Sequence, residues 1–192
     1  KSALVVRDLD LLASLASRNL VHVLISITSL DGALARTLEP RASAPLRRLE
    51  AMARLARAGR PVGVLVAPVI PALTDGAIES VLQAAAQAGA SMAGYTILRL
   101  PREVRDLFVE WLVVHFPQRA QRVMRLLRQM RGGRDNDPAF GSRMRGQGPY
   151  AQLIGQRFEL AVRRLGLDRE PPPLELSRFA PPQPASGQLA LF

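Results

Sequence analysis

The 192-residue sequence contains no cysteine and only two histidines, His22 and His115. Without thiols the chain holds no disulfide scaffold, zinc ribbon or cysteine nucleophile. Two imidazoles fall short of the three or four convergent ligands that a histidine metal site needs, so no metal ligand is assigned within it. Lysine is nearly absent as well: Lys1 is the only one, and the other 25 of the 26 basic residues are arginine. No apolar run approaches the roughly 20 residues of a membrane helix. The start lacks the basic and then apolar layout of a signal peptide. These absences predict a soluble, cytoplasmic chain with no membrane partner. Because it opens on Lys1 and not Met, it reads as a fragment whose natural start lies upstream.

What is present suffices for one core with an appended tail: 192 residues, 48% of them hydrophobic. The net charge is +10, from 26 basic against 16 acidic side chains. The arginine excess has a bland source in genomic base composition, and net charge by itself speaks to non-specific association.

Periodicity divides the chain. Residues 8 to 18 read as a helix with Asp8 as N-cap and Asn19 as its left-handed stop. Val21 to Ile27 is dense in β-branched residues and reads as a buried strand. A polar loop follows, then a helix opening at Pro45 and ending at Gly59, with Leu46, Leu49, Ala53 and Ala56 at helical spacing. The cycle repeats with a strand over Val62 to Val69, then a helix capped by Thr74 or Asp75 and stopped at Gly89. A third strand over about Met92 to Leu98 leads past Pro101 into another helix. Strands alternating with helices at a pitch of roughly 30 to 40 residues predict βα units and a parallel sheet. Three strands are too few to close a barrel.

From Gln118 the composition shifts. A helix to Met130 carries Arg119, Arg122, Arg125 and Arg128, with Arg131 next in the series. At about 100° per residue a spacing of three precesses by about 60° per step, so these do not form one stripe. Arg122, Arg125 and Arg128 oppose the sector of Val123, Leu127 and Met130, the pattern of a surface helix on a core. Eight arginines between residues 119 and 145 face only Asp135 and Asp137, a local excess of +6. Either a solvated face or a nucleic-acid contact accounts for it. Gly132 to Gly148 reads as an irregular glycine-rich loop, Tyr150 to Leu165 as a helix, and the proline-rich stretch from 170 as an extended tail. Its closing Leu189, Leu191 and Phe192 are candidates for docking.

In parallel α/β folds, chemistry gathers at the carboxyl ends of the strands. Those ends hold Lys1 and Ser2, then Ser26, Thr28 and Ser29, then Ala67 and Pro68, and finally Thr96 and Arg99. The set is rich in hydroxyls and poor in acid–base groups, with no Ser-His-Asp arrangement and no paired carboxylates. His22, within an apolar strand, reads as a core or helix-facing residue. His115, at a helix end, is explained by the dipole. Catalytic residues are unassigned.

The strings Leu38 to Ala51 and Ala58 to Pro71, with Lys1-Ser2, Arg7-Asp8, the strand Ile25-Ser26-Ile27 and Gly94 to Pro101, resemble the later half of radical S-adenosylmethionine proteins of the spore photoproduct lyase type. The likeness is greatest to a bacterial branch labelled DNA-repair photolyase-like, and it runs over about residues 1 to 165. The resemblance implies a partial (β/α)6 barrel in which a Cys-x3-Cys-x2-Cys stretch holds a four-iron, four-sulfur cluster. S-adenosylmethionine bound to that cluster is cleaved reductively to a 5′-deoxyadenosyl radical, and the protein binds, orients and shields it. On this likeness residues 1–117 are the carboxyl-side half of the barrel (the end of strand three and strands four to six), 118–166 a basic helical extension, and 167–192 a proline-rich tail. Lys1 matches a lysine that contacts the cofactor's carboxylate, Ser26 a serine that contacts its ribose, and Ala67 a residue beside the adenine. Glu39 and Arg41 share the motif, with a salt bridge or loop packing as their expected use. The cluster cysteines are missing, so the fragment is expected to be inactive, and no photolyase substrate is inherited.

Two functions follow as expectations. One is a fragment of a radical S-adenosylmethionine enzyme acting on an unknown substrate, nucleic acid among the candidates. Its partners would be the other half of the barrel and an electron donor. The other is a non-catalytic α/β nucleic-acid-binding module using Arg122, Arg125 and Arg128. A self-complete α/β domain is a third reading; it requires a closed core, and exposed apolar strand edges would argue against it.

Overall fold

The computed structural model describes residues 1–59, 61–171 and 173–178. The expected tail contacts of Leu189, Leu191 and Phe192 lie outside the described residues. The chain is α/β, with a three-stranded parallel sheet in the order β1 (Val23–Ser26), β2 (Val62–Val69), β3 (Met92–Ile97). Register aligns Ser26 with Leu65 and Leu65 with Gly94, one residue from each strand in a row across the sheet.

The pleat sorts these strands by face. Ile25, Val64, Val66, Tyr95 and Ile97 are buried, whereas Leu24, on the opposite face of β1, is 52% exposed. Small residues on that second face let neighbours lie flat: a Cβ on Gly63 would stand 2.4 Å from Cγ of Met92. β1 is an edge strand, and at the other edge Met92 bridges antiparallel to Asp168.

Helices α3 (Pro45–Arg57) and α4 (Ile78–Gln87) form the two crossovers and pack on β2. On α3 the buried stripe runs Pro45, Arg48, Ala51, Met52, Leu55. A long helix α8 (Gly148–Leu165) packs on α4 and on β3, where Phe158 meets the Tyr95 ring at 4.6 Å between centroids. Arg157 of α8 binds Glu79 with both Nε and Nη2 at 2.8 and 2.7 Å, and the Tyr150 hydroxyl donates to Asp75 at 2.5 Å. Helices α5 (Glu103–His115) and α6 (Pro117–Gln129) pack on one another, and Trp111 donates its indole N–H to the carbonyl of Thr37 at 3.2 Å. Val123, Leu127 and Met130 enter the same core cluster as the strands while Arg122, Arg125 and Arg128 stay exposed.

Several local expectations are corrected. The helix expected over 8–18 is α1 (Leu9–Ala16), entered from a 3₁₀ helix over Ala3–Asp8; Asp8 holds its N-cap position, but its side chain makes no cap hydrogen bond and binds Arg7 instead. The polar loop after β1 contains a helix, α2 (Gly32–Leu38), capped by Asp31, which accepts from the N–H groups of Ala33 and Leu34. Neither Thr74 nor Asp75 caps a helix by its side chain; Thr74 turns back to accept from the N–H of Ile70 at 2.8 Å. The glycine-rich segment holds a one-turn helix α7 (Ser142–Arg145). Arg131 belongs to no basic face. It is 3% exposed and donates to the carbonyls of Leu98, Ser142 and Arg143 at 3.0, 3.2 and 2.7 Å, tying that segment to the end of β3.

Candidate functional site

Pro68 lies within β2 and disturbs its pairing with β3. A proline has no N–H for the ladder, and the β2–β3 register shifts between Val66 and Val69. The carbonyl of Ala67 must find donors elsewhere. It accepts from Ser26 Oγ at 2.9 Å, Thr28 Oγ1 at 2.8 Å and Lys1 Nζ at 3.4 Å. Lys1, Ser26 and Ala67 are thus brought together at the carboxyl ends of the first two strands.

Beneath them lies an ion network. Arg48, 2% exposed on the buried stripe of α3, donates Nε to the carbonyl of Ser43 at 2.6 Å, Nη1 to that of Ser26 at 3.0 Å and Nη2 to Glu39 Oε2 at 2.6 Å. Glu39, at the end of α2, also pairs with the Lys1 ammonium through Oε1. Burial pushes the Glu39 carboxyl upward, but the hydrogen bonds from Lys1 and Arg48 outweigh it and hold the group below the usual carboxylate range. A buried guanidinium is tolerable only when its donors are satisfied, and here they fix both the Ser26 backbone and the Glu39 carboxylate. Glu39 therefore serves a salt bridge that joins the end of α2 to Arg48 of α3 and to Lys1. Arg41 lines a shallow cavity of about 530 Å³ with Lys1, Ser2, Glu39, Pro40 and Ala42.

This set can bind polar groups but shows no acid–base pair. Ser26, whose hydroxyl donates to the Ala67 carbonyl, keeps oxygen lone pairs able to accept from a hydroxyl. Lys1, 46% exposed, can meet a carboxylate as well as Glu39. Among the described residues no hydrogen bond links Thr96 or Arg99 to this cluster, although both stand at the end of β3. Arg99 Nε is buried with no hydrogen-bond partner. His22 is partly buried ahead of β1, and His115 ends α5 with its ring 5.5 Å from Trp111. Among the described residues no three His, Asp or Glu side chains gather as they would for a metal ion, and no helix is long and apolar enough to cross a membrane.

Arg122, Arg125 and Arg128 stand apart from the strand ends, on α6. With Gln118, Gln121, Gln129 and Gly133 they line a groove of about 550 Å³. Arg128 is not an unpaired cation: its Nε binds Asp135 at 2.5 Å, and Arg105 binds the other oxygen at 3.0 Å.

Arg48 is the site residue that sequence reading overlooked. Its signal was an arginine standing in line with Pro45, Met52 and Leu55 on an apolar stripe, a position where a charge must have partners.

Uncharacterized proteins of Mycobacterium tuberculosis and Mycobacterium bovis are each 34% identical over 131 residues, covering 67% of this chain and 38% of theirs. An uncharacterized protein of Acidianus two-tailed virus is 41% identical over 71 residues, 37% of this chain and 23% of that protein. The matched part of the chain thus spans well under half the length of these relatives. No family model and no solved structure matches.

Proposed function

We propose that this chain is the carboxyl-side half of a partial (β/α)6 barrel in a radical S-adenosylmethionine enzyme, its strands serving as the fourth to sixth of that barrel. The observation that carries the reading is the convergence of Lys1, Ser26 and Thr28 on the Ala67 carbonyl at the carboxyl ends of parallel strands. Further support is the edge of β1, which has no strand partner among the described residues and leaves Leu24 52% exposed. An apolar edge of that kind suits a sheet continued by more chain.

The donor set fits one end of the cofactor and not the cluster. The Lys1 ammonium would hold the methionyl carboxylate. Ser26 would accept from a ribose hydroxyl while Arg48 keeps its backbone in place. The adenine would lie beside Ala67, whose small side chain leaves room. No thiolate exists in the 192 residues, so cluster ligands must come from another part of a longer chain, along with an external electron donor. When bound at such a cluster, the cofactor supplies a 5′-deoxyadenosyl radical for hydrogen abstraction. This chain's part is to bind, orient and exclude water.

The test uses the complete coding sequence. A Cys-x3-Cys-x2-Cys stretch upstream of Lys1, and anaerobic release of 5′-deoxyadenosine by the iron- and sulfide-reconstituted protein, are the expected results. Lys1→Ala and Ser26→Ala should weaken cofactor binding in calorimetry. An upstream sequence without those cysteines, or a fully loaded protein that leaves the cofactor intact, would refute the reading.

A further inference from the structure

We propose that the α6 groove and the segment after it form a single-stranded nucleic-acid surface, with phosphates along Arg122 and Arg125 and a base stacked on Phe140. This surface is independent of the cofactor reading, since its binding is measured on this chain alone.

Two observations carry it. The first is the groove itself. Arg122 and Arg125 are exposed and neither pairs with a carboxylate among the described residues. At about 1.5 Å rise per residue, Arg122 and Arg128 lie about 9 Å apart along the helix axis, a row able to follow a strand's backbone. Gln118, Gln121 and Gln129 share that wall and offer neutral donors and acceptors, which suit phosphate and sugar oxygens without adding charge.

The second is Phe140. It is 91% exposed, in the segment that begins at Gly133 on the groove wall, and Arg143 holds its guanidinium 5.0 Å from the ring centre. Water gains nothing from an aromatic side chain held in the open. A nucleobase does, because every base has a π face and stacks irrespective of sequence. Arg134 and Arg145 are also exposed in this segment. It is nevertheless anchored: Arg131 grips the carbonyls of Ser142 and Arg143, and Asp137 accepts from the Ser142 hydroxyl at 2.5 Å.

Exposed arginines on α6, with an exposed aromatic in the segment that follows it, favour a single strand over a duplex, whose bases are stacked on one another and closed to an aromatic side chain. An acidic protein would satisfy the arginines but leave Phe140 without a role.

Fluorescence anisotropy with a labelled mixed-sequence single strand of about 16 nucleotides tests the assignment. Binding should fall steeply with salt. The Arg122→Ala, Arg125→Ala, Arg128→Ala triple variant should flatten the slope of log affinity against log salt by about 1.4, two phosphate contacts at about 0.7 each, because Arg128 is already paired with Asp135. Phe140→Ala should lose about tenfold in affinity at unchanged salt slope, and Phe140→Trp should retain it. These residues are exposed, so circular dichroism should match the parent. Absent binding at low salt, or a triple variant that binds like the parent, would overturn the groove. A duplex held as tightly as the single strand, with Phe140→Ala neutral, would overturn the single-strand assignment.

Discussion

Glu39→Gln tests whether the ion network holds the strand ends together. The substitution keeps the shape of the side chain and removes its charge. Arg48, 2% exposed, would then face a neutral amide while keeping the carbonyls of Ser43 and Ser26. Breaking a buried pair by removing one partner costs about 3–5 kcal/mol. The two retained carbonyls place this case near 3 kcal/mol at neutral pH. Trp111, the only tryptophan, reports unfolding by fluorescence because its indole is held at the Thr37 carbonyl and beside Phe108 and Phe116. With a urea slope of about 2 kcal/mol per molar, the midpoint should fall by about 1.5 M. The effect should also depend on pH. Glu39 titrates below its ordinary range when folded, so its contribution is complete above the unfolded value near 4.3 and fades as pH falls through the lower folded value. The gap between parent and variant should therefore close in acid. Adding Arg48→Met to Glu39→Gln should recover part of the loss, since an apolar pair leaves no buried charge. A midpoint unchanged at neutral pH, or a gap that persists unaltered into acid, would refute the reasoning.

Three other outcomes are expected. Gly63→Ala would set a Cβ 2.4 Å from Met92 Cγ and 2.9 Å from its carbonyl oxygen, costing about 2 kcal/mol and lowering the melting temperature by roughly 4–8 °C. Adding Met92→Ala should not restore it fully, because the carbonyl stays. Arg131→Met removes the grip on the carbonyls of Ile97, Leu98, Ser142 and Arg143 and should speed amide exchange across residues 132–147, while exchange in α4 stays slow. In Tyr150→Phe the phenol that burial and Asp75 push up to about 12 should vanish from an alkaline titration. In the parent, the stability tied to protonated Tyr150 is intact below the unfolded value near 10 and is lost as pH rises through about 12; Tyr150→Phe should forfeit about 1.5 kcal/mol of it at neutral pH, read from urea midpoints.

Much of the fold was legible because its signals are local. β2 matches its expected span, Val62 to Val69, since β-branched residues bounded by turn formers define a strand without reference to partners. Asn19 and Gly166 terminate helices with positive φ as their positions suggest. Helix α2 escaped notice although Asp31 before Ala33, Leu34 and Leu38 is a cap followed by an amphipathic turn; seven residues give too few periods to stand out. Thr74 misled because a hydroxyl beside a helix start can equally bond backwards, and the buried N–H of Ile70 lacked any other partner.

The sequence by itself determined the alternation of strands and helices, the span of β2, and the opposition of Arg122, Arg125 and Arg128 to the apolar sector of α6, since each follows from residue spacing along a few turns. Only the tertiary structure decided which charges would be buried. Arg131 and Arg125 look alike in a row of arginines, yet one is sealed under β3 and the other faces water. Lys1, Glu39, Arg48 and Ala67 meet across as many as 66 residues of chain. Such meetings depend on strand register and helix docking, which no local pattern encodes, and the desolvation cost of a charge then dictates that each buried one finds its partners.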